Sequence, residues 1–139
     1  MSNTILLKGR GHRVEKVAGG TITPGMLVNR TSTDTLVAHA TAAGVATKTF
    51  AVENDLIGNS ITDNYVVNDY VQAETLYSGC EVLAFLVAGG TAVVEGDFLE
   101  SAGDGSLRKY VAGYPIAQVL TALDNSGGAS MARIPVVLL

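Results

Sequence analysis

The 139-residue chain has little charge, one cysteine, no tryptophan and no long apolar run. Charged residues make up 16% of it and apolar residues 47%, whereas disordered chains combine high charge with low hydrophobicity. We therefore expect a folded chain that covers part of its apolar surface with another subunit or a partner. The single cysteine, Cys80, excludes an internal disulfide and a cysteine-based metal site, and it fits synthesis in a reducing cytoplasm.

The chain also lacks a net positive charge and an apolar segment long enough to span a membrane. A formal net charge of −4 and a pI near 5.0 argue against nucleic-acid binding. The longest apolar run, residues 82–88, is far shorter than the ~20 residues of a spanning helix. The first residues contain only a three-residue apolar run, so we expect no signal peptide. The sequence thus predicts no nucleic-acid partner and no membrane partner.

What the chain does contain, from Val17 onward, is residues typical of strands, divided into short segments by many of the 16 glycines. Turn signals recur at intervals of about 8–12 residues, which is typical of a barrel or a sandwich. Helical periodicity is absent, although residues 52–58 could form one turn. The predicted strands cover residues 26–29, 35–39, 43–46, 65–76, 81–88, 92–94, 97–101, 107–111, 116–122 and 132–139.

An internal repeat appears when the chain is shifted by 71 residues, which aligns residues 21–54 with residues 92–125 without gaps. The aligned positions include Gly25 with Gly96, Leu36 with Leu107, Val45 with Ile116, and Ala46 with Ala117. Each copy predicts a hairpin with a turn glycine, and Asp104-Gly105 is a strong hairpin dipeptide. Because a lone hairpin cannot bury its apolar face, we expect two related hairpin units in one all-β domain, residues 17–139, shaped as a small β-barrel, β-tulip or sandwich.

The first sixteen residues differ from the rest in charge. Lys8, Arg10, Arg13 and Lys16 stand against Glu15 alone, which gives this segment a net charge of +3 and the remainder −7. The segment also contains two glycines, Gly9 and Gly11. Residues 1–16 are therefore predicted to form an extended basic arm before an acidic body.

Residues that carry chemistry are sparse. Neither His12 nor His39 is spaced with other ligands as a metal site requires. Cys80 lies beside Glu81 rather than beside a base, which favours a buried thiol over a nucleophile. The carboxylates are scattered, and the glycine-rich pieces lack the lysine and threonine of a phosphate loop. We therefore predict that the chain is not an enzyme and has no cofactor, no catalytic residue and no metal ligand.

Three segments carry a resemblance to a known family. VVEGDFLESAGDGSLRKY, followed by PIAQVLTALDNSGG and the ending ARIPVVLL, resembles the head decoration (capsid cement) proteins of tailed bacteriophages. TPGMLVN and AAGVAT, earlier in the chain, look like the same phrases again. The resemblance extends over residues 17–139. The matching residues are Gly96, Asp97, Leu99, Asp104, Gly105, Pro115, Ile116, Ala117, Arg133, Val136 and Leu138.

The resemblance implies a structural virion protein that binds the outer surface of an icosahedral phage head after synthesis in the host cytoplasm. Its implied partners are the major capsid protein and further copies of itself, as a homotrimer at local threefold sites. The arm would supply the capsid contacts: Ile5, Leu6 and Leu7 as an added strand. Basic residues of the arm would meet an acidic shell surface, namely Lys8, Arg10, Arg13 and Lys16.

Two alternatives stay open at this stage. TAVVEGDFLESAGDG is similar in rhythm to lipoyl and biotinyl carrier domains, which present a modified lysine at a hairpin tip. Here the tip, residues 103–106, holds no lysine, and Lys109 comes later. The other alternative is a sugar-binding module or small hydrolase that uses the loop acids and the tyrosines.

Overall fold

The chain folds into two β-barrels, each closed by five strands, in a computed structural model that describes residues 3–139. In chain order the strands are β1 (Leu6–Lys8), β2 (His12–Ala18), β3 (Leu27–Arg30), β4 (Thr35–Ala38), β5 (Thr49–Ala51), β6 (Tyr70–Thr75), β7 (Glu81–Leu86), β8 (Phe98–Ser101), β9 (Leu107–Lys109), β10 (Ala117–Val119) and β11 (Ala132–Leu138). Within the described range the one helical element is a 3-10 turn, Asp55–Ile57. The all-β barrel expected from the sequence is therefore confirmed.

The two barrels have the same strand order. In the first, β2 lies between β4 and β6, and β3 and β5 complete the ring. In the second, β7 lies between β9 and β11, and β8 and β10 complete the ring. One pair in each ring is parallel, β2 with β4 and β7 with β9, while the others are antiparallel. Each copy of the repeat thus supplies three strands of a separate barrel, whereas the sequence analysis expects both copies to form one barrel or sandwich.

The gapless alignment of the two copies is wrong beyond β4. The shift of 71 residues carries β3 onto β8, but the next strands match at a shift of 68. The Gly25 N–H donates to the Ala51 carbonyl at 2.8 Å, as the Gly96 N–H does to the Val119 carbonyl at 2.9 Å. The connection before β5, residues 39–48, is three residues longer than its counterpart, residues 110–116. The strand predicted at residues 43–46 is therefore absent, and Val45 is exposed rather than equivalent to Ile116.

The described part of the predicted arm is built into the sheets. β1 pairs with β7 but belongs to neither closed ring, while β2 is a strand of the first barrel. The expected boundary between arm and domain, at residue 16, falls inside β2. Residues 1 and 2 of the predicted arm lie outside the described residues.

The two barrels share a hydrophobic core. The larger buried cluster combines Leu27 and Phe50 of the first barrel with side chains of the second, such as Leu99 and Ile134. A smaller cluster lies inside the first barrel around Leu36. A direct backbone hydrogen bond also joins the barrels, from the Leu27 N–H to the Gly105 carbonyl at 2.9 Å. The two barrels, which begin at His12 of β2 rather than at residue 17, therefore pack as one body.

At Gly11 the backbone of the N-terminal segment lies very close to the end of β6. A β-carbon there would lie 2.0 Å from the Thr75 carbonyl oxygen, a backbone atom that cannot move aside without disturbing β6. We expect Gly11→Ala to lower the free energy of unfolding by about 2 kcal/mol, measured by urea denaturation. Gly20→Ala is the matched control, because a β-carbon at Gly20 meets nothing within 4 Å. Equal stabilities for the two variants would contradict the close approach.

Candidate interaction surface

The apolar residues of the predicted capsid-binding segment face the protein's own core. Ile5 is fully buried in the shared core, and Leu6 and Leu7 pack against that core half-buried. The Ile5 carbonyl accepts a hydrogen bond from the Leu83 N–H at 2.8 Å, and its N–H donates to Glu53 Oε1 at 3.2 Å. The side of β1 that pairs with β7 is therefore occupied within the chain itself.

The basic residues of this segment each meet a carboxylate of the same chain. Lys8 lies 3.7 Å from Glu81, and Lys16 pairs with Asp34. The hydrogen bond and the charge of Lys16 hold the pKa of Asp34 below its usual range. The side chains differ in exposure: those of Lys8 and Arg10 are 74% exposed, whereas that of Lys16 is 24% exposed. Lys8 and Arg10 therefore present the most accessible positive charge of the segment.

Arg10 and Arg13 share a buried carboxylate at the end of β6. Glu74 is almost fully buried, and its Oε2 atom lies 3.5 Å from Arg10 Nη2 and 3.8 Å from Arg13 Nη2. Its Oε1 atom accepts a hydrogen bond from the Gly11 N–H at 3.0 Å. A cleft of about 150 Å³ opens over this network, and its lining residues are Thr4, Leu6, Arg10, Arg13, Val52, Glu53, Asp55 and Glu74. Because carboxylates outnumber arginines in this lining, the cleft is unsuited to an anion.

Large apolar side chains are exposed in two regions of the surface. One belongs to the connection between β5 and β6 and the start of β6: Leu56, Ile57, Val66, Val67 and Tyr70. Ile57 and Tyr70 line the same cleft there, together with Asp69. The other region lies on the second barrel: Val94, Phe98, Tyr110, Val111 and Tyr114. Because contiguous exposed apolar patches mark interaction surfaces in soluble proteins, these two regions are the candidates for such a surface.

The sequence analysis missed most of this surface. It placed Phe98 only within the predicted strand 97–101, and in the structure Phe98 points outward from β8 opposite Tyr110, whose N–H donates to the Phe98 carbonyl at 2.8 Å. The one usable signal was Leu56-Ile57, an apolar pair between Asp55 and Gly58 that lies outside every predicted strand.

Behind the second region lies a buried carboxylate, Glu100. It is fully buried, and its Oε2 atom lies 2.8 Å from Arg108 Nη2. Its Oε1 atom accepts backbone N–H bonds from residues 111–113, so Glu100 fixes the loop that carries Val111. Burial alone would raise the pKa of Glu100, but hydrogen bonds from the Val111 N–H, Arg108 and the other two backbone groups hold it below its usual value.

The turn residues singled out from the sequence are Gly25, Gly96, Asp97, Asp104 and Gly105. The three glycines have φ angles between +87° and +102°, a region that residues with a β-carbon rarely adopt. Asp97 accepts a hydrogen bond from the Val94 N–H at 3.0 Å, and Asp104 accepts one from the Ser106 N–H at 3.0 Å. These five residues shape turns and contribute no chemistry of their own.

Each histidine and the cysteine contacts another group of the same chain. His39 is buried, with Nδ1 2.7 Å from Ser101 Oγ and Nε2 2.9 Å from the Val45 carbonyl oxygen. Cys80 is buried with its sulfur 3.7 Å from the Arg10 carbonyl oxygen, and His12 meets Tyr77 at the surface. No group of three potential metal ligands occurs among residues 3–139. In the same range, no helix has the length and apolar character to span a membrane.

A scan against protein-family models finds no match to this chain, and a search of curated proteins finds no significantly similar sequence.

Proposed function

We propose that this chain is a capsid decoration protein, which binds the outer surface of an icosahedral phage head and stabilises it as a homotrimer at local threefold sites. The observation that carries this proposal is the concentration of exposed apolar side chains on two closed barrels. A cement protein works by burying surface between subunits, and many equivalent sites on a shell multiply a modest affinity. The resemblance of residues 17–139 to head decoration proteins supports the same function.

The exposed ends of Lys8 and Arg10 support a contact with an acidic shell surface, with the major capsid protein as the partner. In this role the N-terminal segment contacts the shell through the exposed charges of Lys8 and Arg10, which we call the basic rim. The buried Ile5 holds the segment on the second barrel. Arg13 and Lys16, which are less exposed, would serve mainly to orient the segment.

The direct test is co-sedimentation of the purified protein with expanded, undecorated phage heads across a salt series. We expect saturable pelleting, at a copy number that matches the local threefold sites, and weaker binding at higher salt. Absence of pelleting at every salt concentration would overturn the proposal. A deletion of residues 2–16 is unsuitable here, because it would remove most of β2 and open the first barrel.

Single charge removals test the basic rim without opening a barrel. Lys8→Gln is expected to weaken shell binding about threefold and to reduce its salt dependence, because a rim charge acts through screened attraction. Arg30→Gln is the matched control, since it removes one exposed charge from β3, a strand that pairs with neither β1 nor β2. Equal binding by the two variants would exclude the rim as the contact.

The structure gives the carrier alternative little support. The tip of the β8–β9 hairpin packs against the first barrel, where Gly105 lies next to Met26 and Ala38. Its N–H donates to the His39 carbonyl at 3.2 Å. A carrier domain needs a modified side chain at a free tip, and an intact-mass spectrum showing an adduct would revive this alternative.

A further inference from the structure

The most exposed apolar side chain named above belongs to the 3-10 turn between β5 and β6. Leu56 is 83% exposed and its neighbour Ile57 is 70% exposed, so both stand out from the first barrel. The turn starts at Asp55, and the stretch from residue 53 to residue 70 carries four carboxylates and no basic residue. We refer to Asp55–Ile57 as the acidic apolar turn.

A cleft with the complementary character lies on the second barrel. It measures about 390 Å³, and its lining residues are Val87, Ala88, Gly90, Thr91, Ala102, Arg108, Lys109 and Val111. This lining combines apolar side chains with two cations, and it includes no carboxylate among the residues that the structure describes. We refer to it as the second-barrel cleft.

We propose that the acidic apolar turn of one copy of this chain inserts into the second-barrel cleft of the next copy. A cavity of roughly 150 Å³ holds a benzene-sized group, so the cleft has room for both Leu56 and Ile57. Asp55 would then approach Lys109 and Arg108 at the rim. Burial of the two exposed aliphatic side chains supplies the attraction, and the charges set the orientation.

The two cations already have partners in their own chain. Lys109 Nζ lies 3.2 Å from Asp97, and Arg108 lies against the buried Glu100. Their side chains are nevertheless 43% and 38% exposed, so each can accept a second carboxylate from outside. Because those pairings offset part of the charge, we expect the contact to depend on salt only moderately.

The proposed contact joins two different surfaces, and so it is heterologous. Such a contact repeats from copy to copy and closes into a ring when its rotation permits. The proposed contact depends on the proposed homotrimer in one respect only, namely that three copies would form the ring. The contact itself would hold in the absence of any shell.

Cross-linking of mixed cysteine variants tests the contact. In a Cys80→Ser background, Leu56→Cys and Val111→Cys are made separately, mixed and oxidised. We expect a disulfide-linked pair in the mixture and little in either variant alone, because the two positions meet only between copies. Asn29→Cys mixed with Val111→Cys is the control, since Asn29 is exposed on β3 outside the turn. Pairing of Leu56→Cys with itself, or equal linkage in the control, would overturn the head-to-tail contact.

A double-mutant cycle measured by sedimentation equilibrium tests the charged part. Asp55→Asn and Lys109→Gln are each expected to weaken self-association about threefold to tenfold, and the double variant no more than either alone. Additive losses would contradict the pairing. A wild-type chain that stays monomeric at the concentrations that saturate phage heads would exclude the contact, yet leave the shell-binding proposal standing. Self-association without pelleting would exclude shell binding alone.

Discussion

Glu100→Gln is expected to lower the free energy of unfolding by about 3 kcal/mol, because it removes a buried carboxylate that accepts hydrogen bonds from a half-exposed arginine and from three backbone N–H groups. One oxygen of the Glu100 carboxylate pairs with Arg108, and the other accepts hydrogen bonds from the backbone N–H groups of residues 111–113. An amide offers one oxygen and one N–H₂ group, so it must turn a donor toward either Arg108 or the loop. Both arrangements leave a buried donor without an acceptor.

Urea denaturation at neutral pH measures this loss. Glu95→Gln is the matched control, since it makes the same change on an exposed carboxylate of the second barrel and should leave stability almost unchanged. Similar midpoints for the two variants would show that the Glu100 network contributes nothing.

The same carboxylate predicts how stability depends on pH. Its folded pKa is lower than its unfolded value, so its stabilising contribution is complete above the unfolded pKa of about 4.3 and disappears as the pH falls through the folded pKa. Wild-type stability should therefore decline more steeply on acidification below about pH 5 than the stability of Glu100→Gln. Parallel curves for the two proteins would contradict a lowered pKa.

Ile5→Ala is expected to cost about 3 kcal/mol, by the loss of a fully buried side chain and the cavity left behind. Because β1 lies outside both closed rings, a second effect should accompany it: local release of β1 while the barrels stay folded. Hydrogen exchange should then speed up at the Leu83 amide, which donates to the Ile5 carbonyl, more than in strands remote from β1.

Leu7→Ala provides the comparison, since Leu7 lies two residues further along, in β1, and is only half-buried. It should lose less stability than Ile5→Ala and leave the Leu83 amide closer to its wild-type protection. Uniform acceleration of exchange in both barrels would instead mean that β1 is essential to the whole fold.

Local signals account for what could be predicted from the sequence. Strand residues, turn glycines such as Gly25 and Gly96, and the Asp104-Gly105 dipeptide act through neighbours in the chain, so a pattern reveals them. The repeat was also visible, but the extra three residues before β5 fall in a loop whose composition gives no count of its length. The sequence analysis treats residues 1–16 as a separate arm, because charge and glycine content do not reveal that Ile5 is buried in the shared core.

The candidate surface depends on partners far apart in the sequence, which is why most of it could not be predicted. Glu74 and His39 are buried next to polar partners that are distant in the sequence. Arg10 pairs with Glu74, and Ser101 hydrogen-bonds to His39. Exposure is equally non-local. Phe98 and Leu99 are both apolar and adjacent, and only the pairing of β8 with its neighbours decides which of them faces solvent.

The shared core makes the two barrels depend on each other for folding. Leu27 and Phe50 of the first barrel fill the same buried cluster as Leu99 and Ile134 of the second. A chain cut between β6 and β7 would therefore give two fragments that each expose part of that cluster, and we expect neither fragment to fold without the other.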